Sequence, residues 1–208
     1  MGQAEQHWAQ EVLAEKGVLL PVRPLNHPEV RHNTLSRCYF CKYGMFIALK
    51  AWAFARGRPV VLEGSQASDA GLYRPGRAAL QQLGIRSPLA AVGLKKPHIR
   101  EVAKRWGMAW PEQPSRPCLL TRFAYGRTVN TALLRHIDRL EDALYAVGLR
   151  HFRLRVLEPQ RYVLQITAQE AETVSRHRTA IAAVFTGHGL TSWQVEQTAT
   201  LSGYFDHP

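Results

Sequence analysis

The stretch PVVLEGSQ at residues 59–66 joins a short apolar run to a polar loop that contains a glycine. Its first four residues have the composition of a buried β-strand, and its last four follow where that strand would end. Helical patterns come next, at residues 77–83 and 96–106. Strands that alternate with helices are typical of an α/β fold with a parallel sheet, in which ligands bind at the carboxyl ends of the strands. We therefore predict an α/β layer built around this stretch.

Apolar patterns elsewhere extend this prediction. The second part of the chain has the composition of a separate α+β module, and its residues 151–157 alternate with the period of a half-buried strand. We thus predict an α/β domain with a parallel sheet at residues 1–127 and a small α+β domain at residues 128–208. The further predicted elements are a strand at 18–25, helices at 39–56, 132–147 and 171–188, and strands at 161–167 and 192–201.

Charge is distributed unevenly between these two parts. The chain has 208 residues with 27 Lys and Arg against 16 Asp and Glu, and its formal net charge is +11. Residues 1–127 hold 19 basic and 8 acidic side chains, whereas residues 128–208 hold 8 of each. The first part is therefore expected to carry a cationic surface or pocket for anionic ligands.

Composition excludes several classes of protein. With 46% hydrophobic and 21% charged residues, the chain is of the globular rather than the disordered type. It has no apolar run of the roughly 18 residues that a membrane span needs, and its N-terminus lacks the apolar centre of a signal peptide. We expect a soluble, cytoplasmic protein without a membrane partner.

Cys38 and Cys41 form a CxxC motif at the start of a predicted helix. The amides at a helix N-terminus stabilise thiolates, so this position favours thiol or metal chemistry. A zinc, an iron–sulfur or a thioredoxin-type site could each use the motif, but no thioredoxin βαβ pattern surrounds it. With three cysteines in all, a four-cysteine zinc site within one chain is excluded. A site of three cysteines and one histidine stays open, with His27 or His32 as the fourth ligand.

Cys118 stands alone in a proline- and arginine-rich segment. A lone cysteine is often a small buried apolar residue. Here Arg116, Arg122 and Arg127 flank it, and such a cationic loop suits a thiolate or an anionic ligand better than an apolar core does.

Four segments together resemble the LarE-type, ATP-dependent sulfur transferases of the PP-loop ATPase superfamily. They occur in the order and spacing of that family, and the resemblance continues with FRLR (152–155) and LSGY (201–204). The four segments are RCYFCK (37–42), EGSQASDAGLYRPG (63–76), LGIRSPLAAVGLKKPHIREVAKRWGM (83–108) and PCLLTRFAYG (117–126).

The resemblance implies a specific chemistry. Such enzymes adenylate a carboxylate of a pyridinium mononucleotide and convert it to a thiocarboxylate during synthesis of a nickel-pincer cofactor. Some members sacrifice the sulfur of the cysteine that matches Cys118. Others bind a 4Fe-4S cluster through cysteines that match Cys38, Cys41 and Cys118, which leaves one iron open to carry the sulfide. The three cysteines favour the cluster version, so we expect a sulfurtransferase, or a subunit of one, in which Cys118 is both a metal ligand and a catalytic residue.

The resemblance also implies a substrate site in the second part. Glu141 matches a catalytic position, and Arg153 and Arg155 match positions that line the substrate. Two arginines at alternate positions of a strand share a face and could hold a phosphate. The alternative for this pair is a solvated strand face.

Four further positions match the family's nucleotide-proximal segment and its RPG motif: Gly64, Ser65, Asp69 and Arg74. The family pattern there is Asp-Gly-Thr-Asn followed by two acidic residues. This chain has Glu63, Ser65, Gln66 and Ser68 instead, and only Asp69 remains of the acidic pair.

The family's N-terminal Ser-Gly-Gly-x-Asp-Ser loop, which cradles ATP phosphates, has no match here. The resemblance therefore implies that residues 1–127 form a truncated PP-loop domain of the adenine nucleotide alpha hydrolase-like fold, which carries the three cysteines. Met1 aligns downstream of that loop, so ATP is expected only if a PP-loop-containing partner subunit completes the site in a homo- or hetero-oligomer. Alternatively, the chain works without ATP or is a degenerate relative or fragment. Two other functions stay open: a tRNA-thiolation-related protein that binds tRNA through its basic part, and a non-enzymatic iron–sulfur carrier.

Overall fold

A computed structural model describes residues 3–13, 17–69, 75–108, 111–112, 117–158 and 161–206. The chain divides into two compact units, and we treat each by itself. The first unit is Leu19–Gln113, and the second is Pro114–Pro208 together with Met1–Val18. Cys38 and Cys41 belong to the first unit, whereas Cys118 belongs to the second.

Helices dominate the described residues, and none of them is long and apolar enough to cross a bilayer. The described residues form three strands, which are β1 (Phe152–Glu158), β2 (Arg161–Ile166) and β3 (Ser192–Gln197). The helices are α1 (Gln3–Leu13), α2 (Pro28–Arg31), α3 (Arg37–Phe54), α4 (Gly76–Gln82), α5 (Pro88–Ala91), α6 (Lys96–Arg105), α7 (Thr131–Val147), α8 (Ala171–Arg176) and α9 (Arg178–Gly187).

The first unit is built around α3, which packs against α2 on one side and α4 on another. Lys50 of α3 donates from Nζ to the carbonyl of Leu83 at 2.6 Å, so it occupies a carbonyl at the end of α4. The predicted helices at residues 39–56, 77–83 and 96–106 are confirmed within two residues at each end. The small apolar core of this unit consists of Val30, Ala53, Ala79, Leu80 and Ile85.

The predicted parallel sheet is far smaller than expected. Within the described part of the first unit, β pairing is limited to one parallel bridge between Leu62 and Arg86. The strand predicted at residues 18–25 is wrong, because the chain there is irregular and ends in the 3-10 helix Pro24–Asn26. Pro21 and Pro24 lack the amide hydrogens that a strand would donate.

Helix α7 shows how local sequence sets the second unit. The side chain of Asn130 caps it by accepting a hydrogen bond from the amide of Leu133 at 2.8 Å. Gly148 ends it with φ +117°, a left-handed conformation that favours glycine. Ile137, Leu140 and Leu144 lie at helical spacing and are fully buried, so they form the inward face of α7.

The sheet of the second unit has the order β1-β2-β3, with β1 antiparallel and β3 parallel to β2. The α+β prediction for this part is confirmed, but β1 is not half-buried as predicted. Arg153 and Arg155 are only 7% and 2% exposed, so both faces of the strand are covered. The alternative of a solvated strand face is therefore wrong.

The helix predicted at residues 171–188 is interrupted at His177, where φ −106° and ψ 21° leave the helical region. After the interruption, α9 places Phe185 against Trp193 of β3. Their rings are stacked, with centroids 4.4 Å apart, and this contact joins the last helix to the edge strand.

We predict that the second unit loses stability on acidification through His136. Burial, together with His188 and Arg139, lowers the pKa of His136 below its ordinary value, and the two imidazole rings lie 5.7 Å apart. The imidazole of His136 therefore binds a proton more readily in the unfolded chain than in the folded one. Above a pH of about 6.5 the ring is neutral in both states and costs no stability, whereas the free energy of unfolding falls as the pH decreases below that value.

Urea denaturation of the whole chain at several pH values tests this. The variant His136→Asn should flatten the loss of stability below that pH, whereas His151→Asn, at an exposed position of the same unit, should not. Equal pH slopes for the parent protein and His136→Asn would refute the assignment.

Candidate functional site

Cys118 is exposed and immediately precedes the 3-10 helix Leu119–Arg122. Its carbonyl oxygen accepts two hydrogen bonds from Thr121, one from the amide at 3.0 Å and one from Oγ1 at 2.8 Å. Phe123 then forms a parallel bridge with Val156 of β1. The turn that carries Cys118 is therefore fastened to the edge of the sheet while the cysteine itself stays accessible.

A buried ion pair between Arg122 and Glu141 holds this turn. Nε and Nη2 of Arg122 donate to the two carboxylate oxygens of Glu141 at 2.8 and 2.7 Å. Arg122 is 2% exposed and Glu141 is 6% exposed. Glu141 also accepts from the amide of Leu154 at 3.1 Å. Because both oxygens of Glu141 are engaged, the carboxylate is arranged to orient the guanidinium and the strand edge.

The remaining nitrogen of Arg122 reaches the turn directly. Nη1 donates to the carbonyl of Pro117 at 3.2 Å and to Oγ1 of Thr121 at 2.9 Å. These acceptors lie on either side of Cys118 in the sequence, so one guanidinium braces both ends of the turn.

Arg155 approaches the same turn from β1. Its Nη1 donates to the carbonyl of Thr121 at 2.7 Å, and its Nε and Nη2 donate to Oε1 of Gln165 at 3.0 and 2.9 Å. Nη2 also donates to the carbonyl of Leu201, and the guanidinium lies 5.0 Å from the ring centroid of Tyr204. Every nitrogen of this side chain thus donates to a protein acceptor.

The electrostatic setting of Arg155 is unusual. Burial lowers its pKa to about 10, and the charges of Arg122 and Arg153 act in the same direction. Glu141 opposes this shift, but it is already paired with Arg122. The charges of Arg122, Arg153 and Arg155 therefore act on one another in the interior of this unit, and the charge of Glu141 partly offsets them.

Arg153 lies on the same face of β1 as Arg155 and is paired in register with Gln165 of β2. Its Nη1 donates to the carbonyl of Phe152 at 2.6 Å. The predicted neighbourhood of Glu141, Arg153 and Arg155 is therefore present, although none of the three is exposed.

In the first unit, Cys38 and Cys41 occupy the first turn of α3, three residues apart. Cys38 is exposed and Cys41 is partly exposed. Gly76, the first residue of α4, lies so close that an added Cβ would be 3.3 Å from the carbonyl of Cys38 and 2.7 Å from Cδ of Lys42. A glycine at this position therefore lets α4 approach the cysteine-bearing turn without moving Lys42 or the carbonyl of Cys38.

The zinc alternative gains no support from the described residues, where no group of three His, Cys, Asp or Glu side chains is placed to hold a metal ion. The ring of His27 stacks on Phe40 at 4.3 Å, and its Nδ1 accepts from the amide of Glu29 at 3.3 Å. Both contacts fix this histidine as part of the helix packing.

The loop after the Leu62 bridge is organised by Glu63. Its carboxylate accepts from Ser65 Oγ at 2.8 Å and from Ser87 Oγ. Burial alone would raise the pKa of Glu63, but these two hydrogen bonds and the charge of Lys42 outweigh it, so the pKa lies below its ordinary value. Lys42 directly follows Cys41 in α3, so its positive charge acts on Glu63 from the helix that carries the CxxC motif.

The other predicted nucleotide-proximal residues lie in the same loop. Gly64 is exposed, and Asp69 ends the loop's 3-10 helix, Ala67–Asp69, where its Oδ2 accepts from the amide of Gln66 at 3.2 Å. Ser65 binds Glu63, as above. Arg74 lies outside the described residues.

Sequence reasoning missed three of the organising residues. Glu63 was noted only as a departure from the family pattern, Arg122 only as a charge that flanks Cys118, and Thr121 was not considered. The spacing of Thr121 from Cys118 is the signal that was available, because a Thr three residues after a turn's first carbonyl can bond back to it.

The thiols of Cys38 and Cys41 lie near the N-terminus of an 18-residue helix, a position that favours thiolates. Thiolates are ligands of iron–sulfur clusters and of zinc alike. Cys118 belongs to the second unit. Because no group of three His, Cys, Asp or Glu side chains in the described part of the chain is placed to hold a metal ion, the three-cysteine ligand set stays a prediction.

Comparison with known proteins finds two uncharacterized relatives and one named enzyme. The chain is 34% identical over 137 residues to an uncharacterized protein of Synechocystis. These residues are 66% of this chain and 51% of the relative. The chain is 28% identical over 173 residues to an uncharacterized protein of Methanocaldococcus jannaschii, covering 80% of this chain and 68% of the relative.

A third relative has a known activity. The chain is 27% identical over 131 residues to the pyridinium-3,5-bisthiocarboxylic acid mononucleotide synthase of Lactiplantibacillus plantarum, covering 63% of this chain and 48% of the synthase. No family model matches the chain. The chain is therefore a distant relative of a LarE enzyme, and its matches span about half the length of the first and third of these relatives.

We predict that Glu141→Gln destabilises the protein by about 3 kcal/mol, because it leaves the buried guanidinium of Arg122 without a counter-charge. Urea denaturation followed by circular dichroism measures the loss. The matched control is Glu172→Gln, which breaks the exposed pair of Glu172 with Arg176 and should change stability by less than about 1 kcal/mol. Equal effects of the two substitutions would show that the buried pair does not stabilise the unit.

Proposed function

We propose that this protein transfers sulfur to an activated carboxylate of a nucleotide-like substrate, as in nickel-pincer cofactor synthesis. The single observation that carries the proposal is the Cys118 turn, an exposed cysteine held by a buried Arg122–Glu141 pair. The distant relationship to the bisthiocarboxylic acid mononucleotide synthase supplies the reaction class.

The residues around Cys118 suit an acyl transfer to sulfur. A sulfide carried by the protein would attack the carbonyl carbon of the activated carboxylate. A carbon–sulfur bond would form and the bond to the adenylate would break, so that AMP leaves with the bonding electrons. The cationic region of Arg122, Arg153 and Arg155 favours the approach of an anionic substrate and stabilises the negative charge that develops on its oxygens. Glu141 contributes to catalysis in this proposal by holding Arg122 in place.

Arg153 and Arg155 are the proposed substrate-binding pair. Four of the five N–H groups of Arg155 donate to Thr121, Gln165 and Leu201, so a phosphate would bind the remaining hydrogen of Nη1 or displace one of these acceptors. We expect the carbonyl of Leu201 to be the acceptor that is displaced, because of the three it lies closest to the C-terminus.

We propose Cys38, Cys41 and Cys118 as the ligands of a 4Fe-4S cluster. Three thiolates leave one iron without a protein ligand, and such a cluster supplies a replaceable sulfide, so that no protein sulfur is consumed. The accessibility of Cys38 and Cys118 supports this assignment, and Lys42 adds positive charge beside the two helical thiolates.

Nucleotide binding is assigned to the loop of Gly64, Ser65 and Asp69, with Arg74 following it. These residues supply polar groups but no phosphate-cradling glycine-rich loop. ATP use is therefore proposed only with a PP-loop-containing segment or partner subunit that completes this site.

The surface of the first unit supports such a partner. Large apolar side chains of its described residues are exposed: Phe54 is 76%, Val60 is 54% and Leu62 is 57% exposed. Exposed apolar side chains of this size are typical of a docking face. The purified chain should oligomerise or retain a PP-loop partner on size-exclusion chromatography with light scattering. A stable monomer that captures no partner and binds no apolar dye would contradict the partner proposal.

The cluster is tested by anaerobic reconstitution with iron and sulfide. The parent protein should hold about four irons per chain and show broad visible absorbance that changes on reduction. Each of Cys38→Ala, Cys41→Ala and Cys118→Ala should prevent stable loading, since each removes one of three ligands.

Two results would count against the cluster. Zinc without iron in the freshly purified protein would reject it, and so would full loading of the Cys118→Ala variant. A protein that loads a cluster but passes no sulfur to any activated carboxylate would instead be an iron–sulfur carrier.

A further inference from the structure

We infer that Thr121 is a positioning residue for Cys118, connecting the carbonyl of that cysteine to two buried guanidinium groups. The inference rests on the proposed role of Cys118 in sulfur transfer, and it assigns a function to a side chain outside the substrate and metal sites considered so far.

Thr121 is the point where four hydrogen bonds meet. Its amide and its Oγ1 donate to the carbonyl of Cys118 at 3.0 and 2.8 Å. Its Oγ1 accepts from Nη1 of Arg122 at 2.9 Å, and its own carbonyl accepts from Nη1 of Arg155 at 2.7 Å. The amide and the hydroxyl of Thr121 therefore bind the carbonyl of Cys118, while its hydroxyl and its carbonyl bind the two arginines.

The direction of these bonds is determined by their partners. A threonine hydroxyl has one hydrogen to donate, and a carbonyl oxygen can only accept. The hydroxyl hydrogen must therefore point at Cys118, while a lone pair faces Arg122. A donor polarised by a cation forms a stronger hydrogen bond than a neutral one, so the charge of Arg122 acts on the backbone of Cys118 through this hydroxyl.

The hydroxyl can be removed without dismantling the site. In a Thr121→Val variant, Arg122 keeps its two bonds to Glu141 and its bond to Pro117. The carbonyl of Cys118 keeps the amide of Thr121. Valine has nearly the same shape, so what the variant loses is the connection between Arg122 and the Cys118 carbonyl.

Amide hydrogen exchange of the full-length protein tests this directly. In Thr121→Val the amides of residues 121 and 123, which close the turn, should exchange about fivefold to tenfold faster, because one hydrogen bond that holds the turn is lost. Thr121→Ser keeps a hydroxyl and should stay within about twofold of the parent protein. The control Thr186→Val, at an exposed position of α9, should leave these amides unchanged.

Sulfur transfer gives the second readout. If Thr121 positions the cysteine, Thr121→Val should lower kcat about fivefold or more while KM for the substrate changes little, and Thr121→Ser should restore the rate. A merely structural role would lower the midpoint of thermal unfolding in Thr121→Val and would leave kcat of the folded protein unchanged.

The two arms fail in different ways. Unchanged amide exchange in Thr121→Val, or an equal increase in Thr121→Ser, would overturn the positioning role of the hydroxyl. If the parent protein transfers no sulfur, the proposed function fails, and the exchange arm still decides whether Thr121 holds the Cys118 turn.

Discussion

The buried pair of Arg122 and Glu141 is the interaction on which the candidate site depends. A guanidinium that is 2% exposed needs a counter-charge, and Glu141 on α7 supplies it through two hydrogen bonds. Because Glu141 also accepts from the amide of Leu154, one carboxylate ties α7, β1 and the Cys118 turn together. The accessibility of the cysteine and the rigidity of its surroundings are therefore separate: the thiol is at the surface, whereas its anchors are in the core.

Much of the fold could be predicted from apolar periodicity, because helices α3, α6 and α7 have long patterns with clear ends. The strand predicted at residues 18–25 was wrong, since prolines there outweighed apolar composition. The alternation in β1 was read correctly as a strand but wrongly as half-buried. A pattern of arginines cannot reveal that Glu141, Gln165 and backbone carbonyls are placed to satisfy them in the interior, because those partners come from distant parts of the chain.

The candidate site, too, could be predicted only in part. The three cysteines could be singled out from residue type and spacing, and the structure places two of them in one helical turn. The residues that organise the site could not be singled out in this way, because Glu63 and Thr121 act through tertiary contacts. Glu63 gathers Ser65 and Ser87 beside the charge of Lys42, and Thr121 joins Cys118 to two arginines. Both are common polar residues whose importance comes from where the fold puts them.

The central claim is that sulfur passes from this protein to an activated carboxylate at Cys118. Its most direct test loads the protein with heavy-isotope sulfide and adds the acyl-adenylate of a pyridinium carboxylate mononucleotide, which makes ATP and a partner unnecessary. Mass spectrometry should find the heavy sulfur in a thiocarboxylate product, with one AMP released for each sulfur transferred, and none with Cys118→Ala. Release of AMP together with unlabelled carboxylate, and no labelled thiocarboxylate, would contradict the account.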